Sequence, residues 1–205
     1  MSEITLKYAT KRLPSDAGIA IGPILFVVAI LGLLAVIMAS GIGDYGTASV
    51  ADRVKADIVS QGNLIRTKIN ECNIIYLSSG TNGDGYPANV NLSTGDDVST
   101  LTCEGDVAAG LNGNLWSGAR ATQLPPPTHG FQDWYYVNDA AAGGGRCIWT
   151  QPLNGANSGI TAGLTSAATK FSSQEYIYNP AGATQRFVIW ITLPSGTADS
   201  LCQSL

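Results

Sequence analysis

From Ala17 to Gly43 the chain reads AGIAIGPILFVVAILGLLAVIMASGIG, the longest interval in its 205 residues without a charged side chain. As α-helix this stretch would rise roughly 40 Å, more than the roughly 20 apolar residues that cross the hydrocarbon core of a bilayer require. Leu, Ile, Val, Phe and Ala fall on every side of such a helix. With no polar stripe to turn toward water, the segment must be wrapped by lipid or by protein, and a membrane helix is expected. Lys7, Lys11 and Arg12 precede it against Glu3 and Asp16, a basic bias that places this end on the cytoplasmic side. A secretory signal peptide also begins basic and then apolar, but its apolar part is about 7 to 15 residues, shorter than this run.

Charge elsewhere narrows the function. Charged residues make up 13% of the chain, against roughly 25% in average soluble proteins, and the uncharged segment accounts for part of the deficit. Beyond Asp44 acidic side chains outnumber basic ones, and no basic run or basic patch interleaved with aromatics is present. Binding to nucleic acid is therefore not expected. A chain of this length fits an anchor and one exported domain.

The next boundary is Gly41-Ile42-Gly43-Asp44-Tyr45-Gly46, whose three glycines predict a flexible joint or a locally melted turn, each costing about 1 kcal/mol against alanine in a helix. Past it, Val50, Val54, Ile58, Ile65, Ile69 and Cys72 recur at three-, four- and seven-residue spacings among Asp52, Arg53, Lys55, Asp57, Arg66 and Lys68. That periodicity predicts an amphipathic helix closing near Ile74 to Tyr76, before Ser78-Ser79-Gly80. Residues 80–115 are rich in Gly, Asn, Asp, Ser and Thr and read as a long loop with small strands at Val90 to Leu92 and Val98 to Leu101. After Pro125-Pro126-Pro127 come four β-branched and aromatic runs: Trp134 to Val137, Cys147 to Thr150, Tyr176 to Tyr178 and Phe187 to Thr192. They predict four antiparallel strands in two hairpins, with a short helix over Ile160 to Phe171 between them. The amphipathic stripe is the obvious cover for one face of that sheet.

Val27-Val28-Ala29-Ile30-Leu31-Gly32-Leu33-Leu34-Ala35 resembles the N-terminal helix of type IV pilins and pseudopilins. In that family a prepilin peptidase cuts after a glycine at a fixed distance before this pattern, which places the cut between Gly18 and Ile19. The resemblance implies an α+β, pilin-like fold. Residues 1–18 would be the leader, 19–43 the helix of membrane and filament core, 44–79 the amphipathic half of the spine, and 80–205 a β-rich head. It implies prepilin peptidase and other pilin-like subunits as partners, and the bacterial inner membrane before assembly into a periplasmic pseudopilus or an extracellular pilus. One position departs from the pattern: the fifth mature residue, usually glutamate, is Pro23. In the family that carboxylate pairs with a neighbouring subunit's amine, which makes a charge in the membrane tolerable. Proline is compatible with the first helical turn, where its missing N–H costs no hydrogen bond. A subunit with none ahead of it needs no such carboxylate, which points to a minor or tip position, or else to a divergent system whose helices dock by apolar packing alone, with Gly22 and Gly32 permitting close approach.

All four cysteines, Cys72, Cys103, Cys147 and Cys202, lie after the apolar segment, where an even count favours disulfides over free thiols. No C-x-x-C spacing speaks for zinc. Three connectivities are possible. Cys72 with Cys103 and Cys147 with Cys202 is favoured, tying the long loop to the helix end and the C-terminus to the sheet, in the way pilins often staple a C-terminal region. Chemistry has few candidates: the sole histidine, His129, stands in a Pro-Thr-His-Gly loop and reads as solvated. Asn82 to Gly85 and Asp96-Asp97 could offer oxygen to calcium but match no EF-hand spacing and read as turns. No catalytic residue, metal or cofactor is assigned, and an enzyme is not expected. Two function classes remain: a pilin-like structural subunit, or a membrane-anchored binding module that reads a ligand with Trp134, Tyr135, Tyr136, Trp149 and Trp190.

Overall fold

The computed structural model describes residues 21–77, 85–88, 91, 93–118, 121–140, 143–155, 157–180, 185–195 and 201–204, and side chains of the first helix at 25–32 and 46–75. The chain divides into two compact units, Met1–Tyr45 and Gly46–Leu205.

In the first unit the described structure is helix. Helix α1 spans Ile21–Ile75 and is helical through Gly41 to Gly46, where a joint was expected. Glycine weakens a helix without forbidding its dihedrals, and propagation adds one hydrogen bond per residue once a helix is nucleated. The boundary between the two units nevertheless falls at Tyr45 and Gly46, inside that glycine cluster. Among the described residues no helix is long and apolar enough to cross a membrane. Of the Ala17 to Gly43 segment, 17–20 lie outside the described residues, and side chains are described for 25–32 alone.

The second unit is α+β. Its strands are β1 (Asp96–Asp97), β2 (Tyr135–Asn138), β3 (Arg146–Thr150), β4 (Tyr176–Tyr178) and β5 (Phe187–Thr192). They form one antiparallel sheet in the order β1-β2-β3-β5-β4. The two expected hairpins, β2-β3 and β4-β5, are joined through β3 and β5. Three short helices accompany them: α2 (Glu104–Ala108), α3 (Ser158–Ala168) and α4 (Leu201–Ser204).

The register explains the core. Tyr136, Ile148, Ile189 and Tyr176 pair across four strands on one face. Against that face lies the α1 stripe, with Val54, Ile58, Ile65, Ile69 and Cys72 at 0–3% exposure in one cluster with Tyr136, Ile148 and Ile189. Gly62 allows the approach, since a side chain there would run into Ile189. Val50, expected in the stripe, is 40% exposed at its N-terminal end. The opposite face is apolar too: Tyr135, Trp149, Val188 and Ile177 pair across it. Val137, Cys147, Trp149, Val188, Trp190 and Cys202 are buried there as a second cluster. A single covered face was the expectation, and burial on both sides is what uninterrupted apolar strands such as Phe187–Ile191 permit.

Helix α3 starts at Asn157, whose side chain accepts from the Ile160 N–H, and rests on α1 through small residues. A Cβ built at Gly159 would lie 3.2 Å from Val50 Cβ, and one at Gly163 would lie 2.7 Å from Val54 Cβ and 2.8 Å from the Ala51 carbonyl oxygen. Ala167, one further turn along, is fully buried.

The long loop differs from the small strand expected at Val98 to Leu101, while Val90 and Leu92 of the other expected strand lie outside the described residues. Val98–Thr100 is a 3-10 turn, because the Asp97 side chain accepts from the Ser99 N–H and caps it. Indole and phenol donors tie the loop down: Trp116 Nε1 donates to Val98 O at 2.6 Å, Trp149 Nε1 to Thr94 O at 3.0 Å and Tyr136 Oη to Pro87 O at 3.2 Å. Val98 O also accepts from the Leu101 N–H at 3.3 Å and Pro87 O from Asn138 Nδ2 at 3.0 Å, so the ring donors add to the bonds that hold the loop.

An ion pair joins α1 to the α3-β4 loop, Arg66 Nη1 standing 2.8 Å from Glu175 Oε1, while Glu175 Oε2 accepts from the Ser172 N–H at 3.0 Å. The Ser172 backbone bond first, then Arg66, lower the Glu175 carboxyl from 4.5 to about 2. A depressed carboxyl stabilises the fold above its ordinary pKa and loses that contribution as pH falls from about 4.5 through about 2. Both side chains are partly exposed, so water screens the pair to below about 1 kcal/mol. Glu175→Gln is expected to cost less than ~1 kcal/mol at neutral pH. In urea titrations the gap between the two proteins should close as pH drops through that window; a gap that persists in full acid would assign the loss to packing.

Candidate functional site

Leu25, Phe26, Val27, Val28, Ile30 and Leu31 are all 42–66% exposed in the first unit. Successive residues of a helix point about 100° apart, so six exposed apolar residues within seven positions surround the helix instead of lining one side. Isolated exposed leucines mean little, but a contiguous sleeve of them marks a surface that lipid or other protein covers. At Gly32 nothing lies within 4 Å of where a Cβ would stand. Gly22 and Pro23 lie in α1 with side chains that are not described, and Gly18 and Ile19 lie outside the described residues.

The cysteines are paired as Cys72–Cys103, 31 residues apart with Cα atoms at 5.7 Å, and Cys147–Cys202, 55 residues apart with Cα atoms at 6.1 Å. The first binds the last turn of α1 to the start of α2, where Tyr76 packs on Gly105 and its hydroxyl donates to Asp106 at 2.8 Å. The second fastens α4 to the outer face of the sheet. Closing loops of that length restricts the unfolded chain most, by about 3 to 4 kcal/mol per bridge in the chain-entropy account.

The aromatic residues that a ligand-binding sheet would need are turned inward. Trp134, Tyr136, Trp149 and Trp190 are 0–5% exposed, and Tyr135 is half-buried, stacked on Trp149 with ring centroids 4.9 Å apart. Arg186 lies over the Trp149 ring, 4.8 Å from its centroid. His129 is exposed on a turn beside an open recess lined by Val50, Asn154, Asn157 and Ile160. Asp96 accepts from the Asn91 N–H and Asp97 caps the 3-10 turn, so both carboxylates are engaged in local turns. Asn82 to Asp84 lie outside the described residues, and among the described residues no group of three His, Cys, Asp or Glu gathers to hold a metal.

Two structural features went unread in the sequence. The Gly159-x-x-x-Gly163-x-x-x-Ala167 spacing is the signal for the close crossing of α3 on α1. Gln61, 6% exposed within the apolar stripe, carries no comparable signal, because its partners are remote: Pro126 O, Trp134 Nε1 and Thr128 Oγ1.

Comparison with protein-family models, with curated proteins and with solved structures finds no match to this chain.

Proposed function

We propose that the chain is a structural subunit of a type IV pilus-like filament or secretion pseudopilus. Prepilin peptidase removes its leader after Gly18, and the apolar helix holds it in the bacterial inner membrane until assembly with other pilin-like subunits. The observation that carries this reading is the division of labour along α1: an apolar sleeve from Leu25 to Leu31, and beyond Gly46 a stripe buried against an antiparallel sheet. The C-terminus bonded to that sheet through Cys202 supports it. Pro23 assigns the subunit to a minor or tip position, since a lattice of such subunits would lack the usual pairing of carboxylate and amine. The alternative, an anchored module reading a ligand with its aromatic sheet, loses its surface to the burial of Trp134, Tyr136, Trp149 and Trp190.

Mass spectrometry of membrane or filament fractions is expected to find a mature N-terminus at Ile19. An intact Met1 or a cut near Gly41 would overturn the reading. Pro23→Glu separates the positions: with no amine ahead of it the new carboxylate is uncompensated and should impair insertion or assembly. A stoichiometric lattice of the native chain along the whole fibre would exclude the tip and leave apolar docking through Gly22 and Gly32.

A further inference from the structure

Asn91-Leu92-Ser93 is an Asn-x-Ser triplet, the acceptor pattern for N-linked sugar on a surface loop of an exported protein. Asn91 and Ser93 are both exposed. The Asn91 side-chain oxygen accepts from the Ser93 N–H at 3.1 Å, from the Ser93 hydroxyl at 2.8 Å and from the Thr94 N–H at 3.3 Å. All of these bonds fall on Oδ1, and among the described residues Nδ2 has no partner, so the nitrogen that would be modified is the end left open. Its backbone is held within the same turn, Gly95 N–H donating to Asn91 O at 2.9 Å and Asn91 N–H to Asp96 Oδ1 at 3.1 Å. Freeing the Asn91 side chain for an enzyme breaks only its bonds to Ser93 and Thr94, while Trp149 Nε1 still holds Thr94 O at 3.0 Å. The other exposed asparagines among the described residues, Asn63, Asn112, Asn154, Asn157 and Asn179, lack a hydroxyl two residues on.

We infer that Asn91 is the acceptor for an N-linked oligosaccharide added on the exported side of the membrane, which rests on the export proposed above. The donor class is an oligosaccharide carried on a polyprenyl diphosphate. The Asn91 Nδ2 attacks the anomeric carbon, the C–N bond forms as the bond from that carbon to the phosphate oxygen breaks, and the lipid diphosphate leaves with the electron pair. One amide proton passes to a carboxylate of the transferring enzyme. Ser93 positions the amide through its hydrogen bond to Oδ1. The sugar would stand at the turn leading into β1, an edge of the sheet, and would keep that edge from pairing with another chain.

The test is peptide mass spectrometry on the full chain purified from its own membranes, reading the Asn91 peptide and the N-terminus in one sample. A glycan mass on Asn91 is expected, lost completely in Asn91→Gln and in Ser93→Ala and retained in Ser93→Thr. Unmodified Asn91 on a chain beginning at Ile19, or sugar on Ser93 or Thr94 instead, would overturn this inference and leave the filament reading standing. A chain beginning at Met1 with sugar on Asn91 would do the reverse, and one beginning at Met1 with bare Asn91 would end both.

Discussion

Gly163→Val is expected to lower the unfolding free energy of the globular unit by about 3 to 4 kcal/mol, and Gly163→Ala by about 1 to 2. Two terms compete in the alanine variant. Alanine in a helix interior is favoured over glycine by about 1 kcal/mol, which would stabilise α3 if there were room. There is none: the new Cβ would stand 2.7 Å from Val54 Cβ and 2.8 Å from the Ala51 carbonyl oxygen. Neither atom is the loose end of a side chain, so α3 must move away from α1, and overpacking of this kind costs about 1 to 3 kcal/mol. Valine adds two methyl groups and a β-branched penalty to the same collision. Gly46→Ala supplies the control, because it lies in α1 with nothing within 4 Å of the built Cβ and should gain up to ~1 kcal/mol from propensity alone. Urea unfolding of the three variants checks the ordering. Gly163→Ala as stable as Gly46→Ala would mean that the two helices do not cross at this glycine.

Periodic features were legible in the sequence. Val54, Ile58, Ile65, Ile69 and Cys72 announce a helix face by spacing, and all five are buried. The β-branched and aromatic runs announce four strands, and β2 to β5 lie within a residue or two of them. What stayed hidden is context. Asp96-Asp97 has poor strand propensity and pairs with Tyr135 and Tyr136 because the turn before it delivers it to the sheet edge. Val98 to Thr100 looked extended by composition, and a single aspartate cap bends it into a 3-10 turn. The second apolar face could have been inferred from Phe187–Ile191, which lacks the alternation of a half-exposed strand. For the candidate site, the apolar sleeve is a composition signal and was plain, as was the set of four cysteines that follows it. The inward turn of the tryptophans was not, because one residue in two faces either side of a strand and the pattern is silent about what covers each face.

Gln61→Leu is expected to cost about 3 kcal/mol, close to the Gly163→Val effect although it makes the core more apolar. The Gln61 amide donates from Nε2 to Pro126 O at 2.9 Å, and its Oε1 accepts from Trp134 Nε1 at 2.9 Å and from Thr128 Oγ1 at 3.5 Å. One side chain of α1 thereby holds the Pro125 to Pro127 loop and the residue that leads into β2. Leucine fills a similar volume but strands a buried indole N–H and takes the donor from a part-buried carbonyl, groups that cost about 1 to 3 kcal/mol each when left without a partner. The gain from a more apolar side chain, about 1 to 2 kcal/mol, offsets only part of that. Removing the indole donor as well should restore some of the loss, so Gln61→Leu with Trp134→Phe is expected to be less destabilised than the sum of the two single changes, by about 1 kcal/mol of coupling. The same cycle run with Gln61 and Trp190 should be additive, because Trp190 belongs to the cluster on the opposite face of the sheet. Equal coupling in both cycles would indicate a general loosening of the fold and would remove Gln61 from its place as the polar joint between helix, loop and sheet.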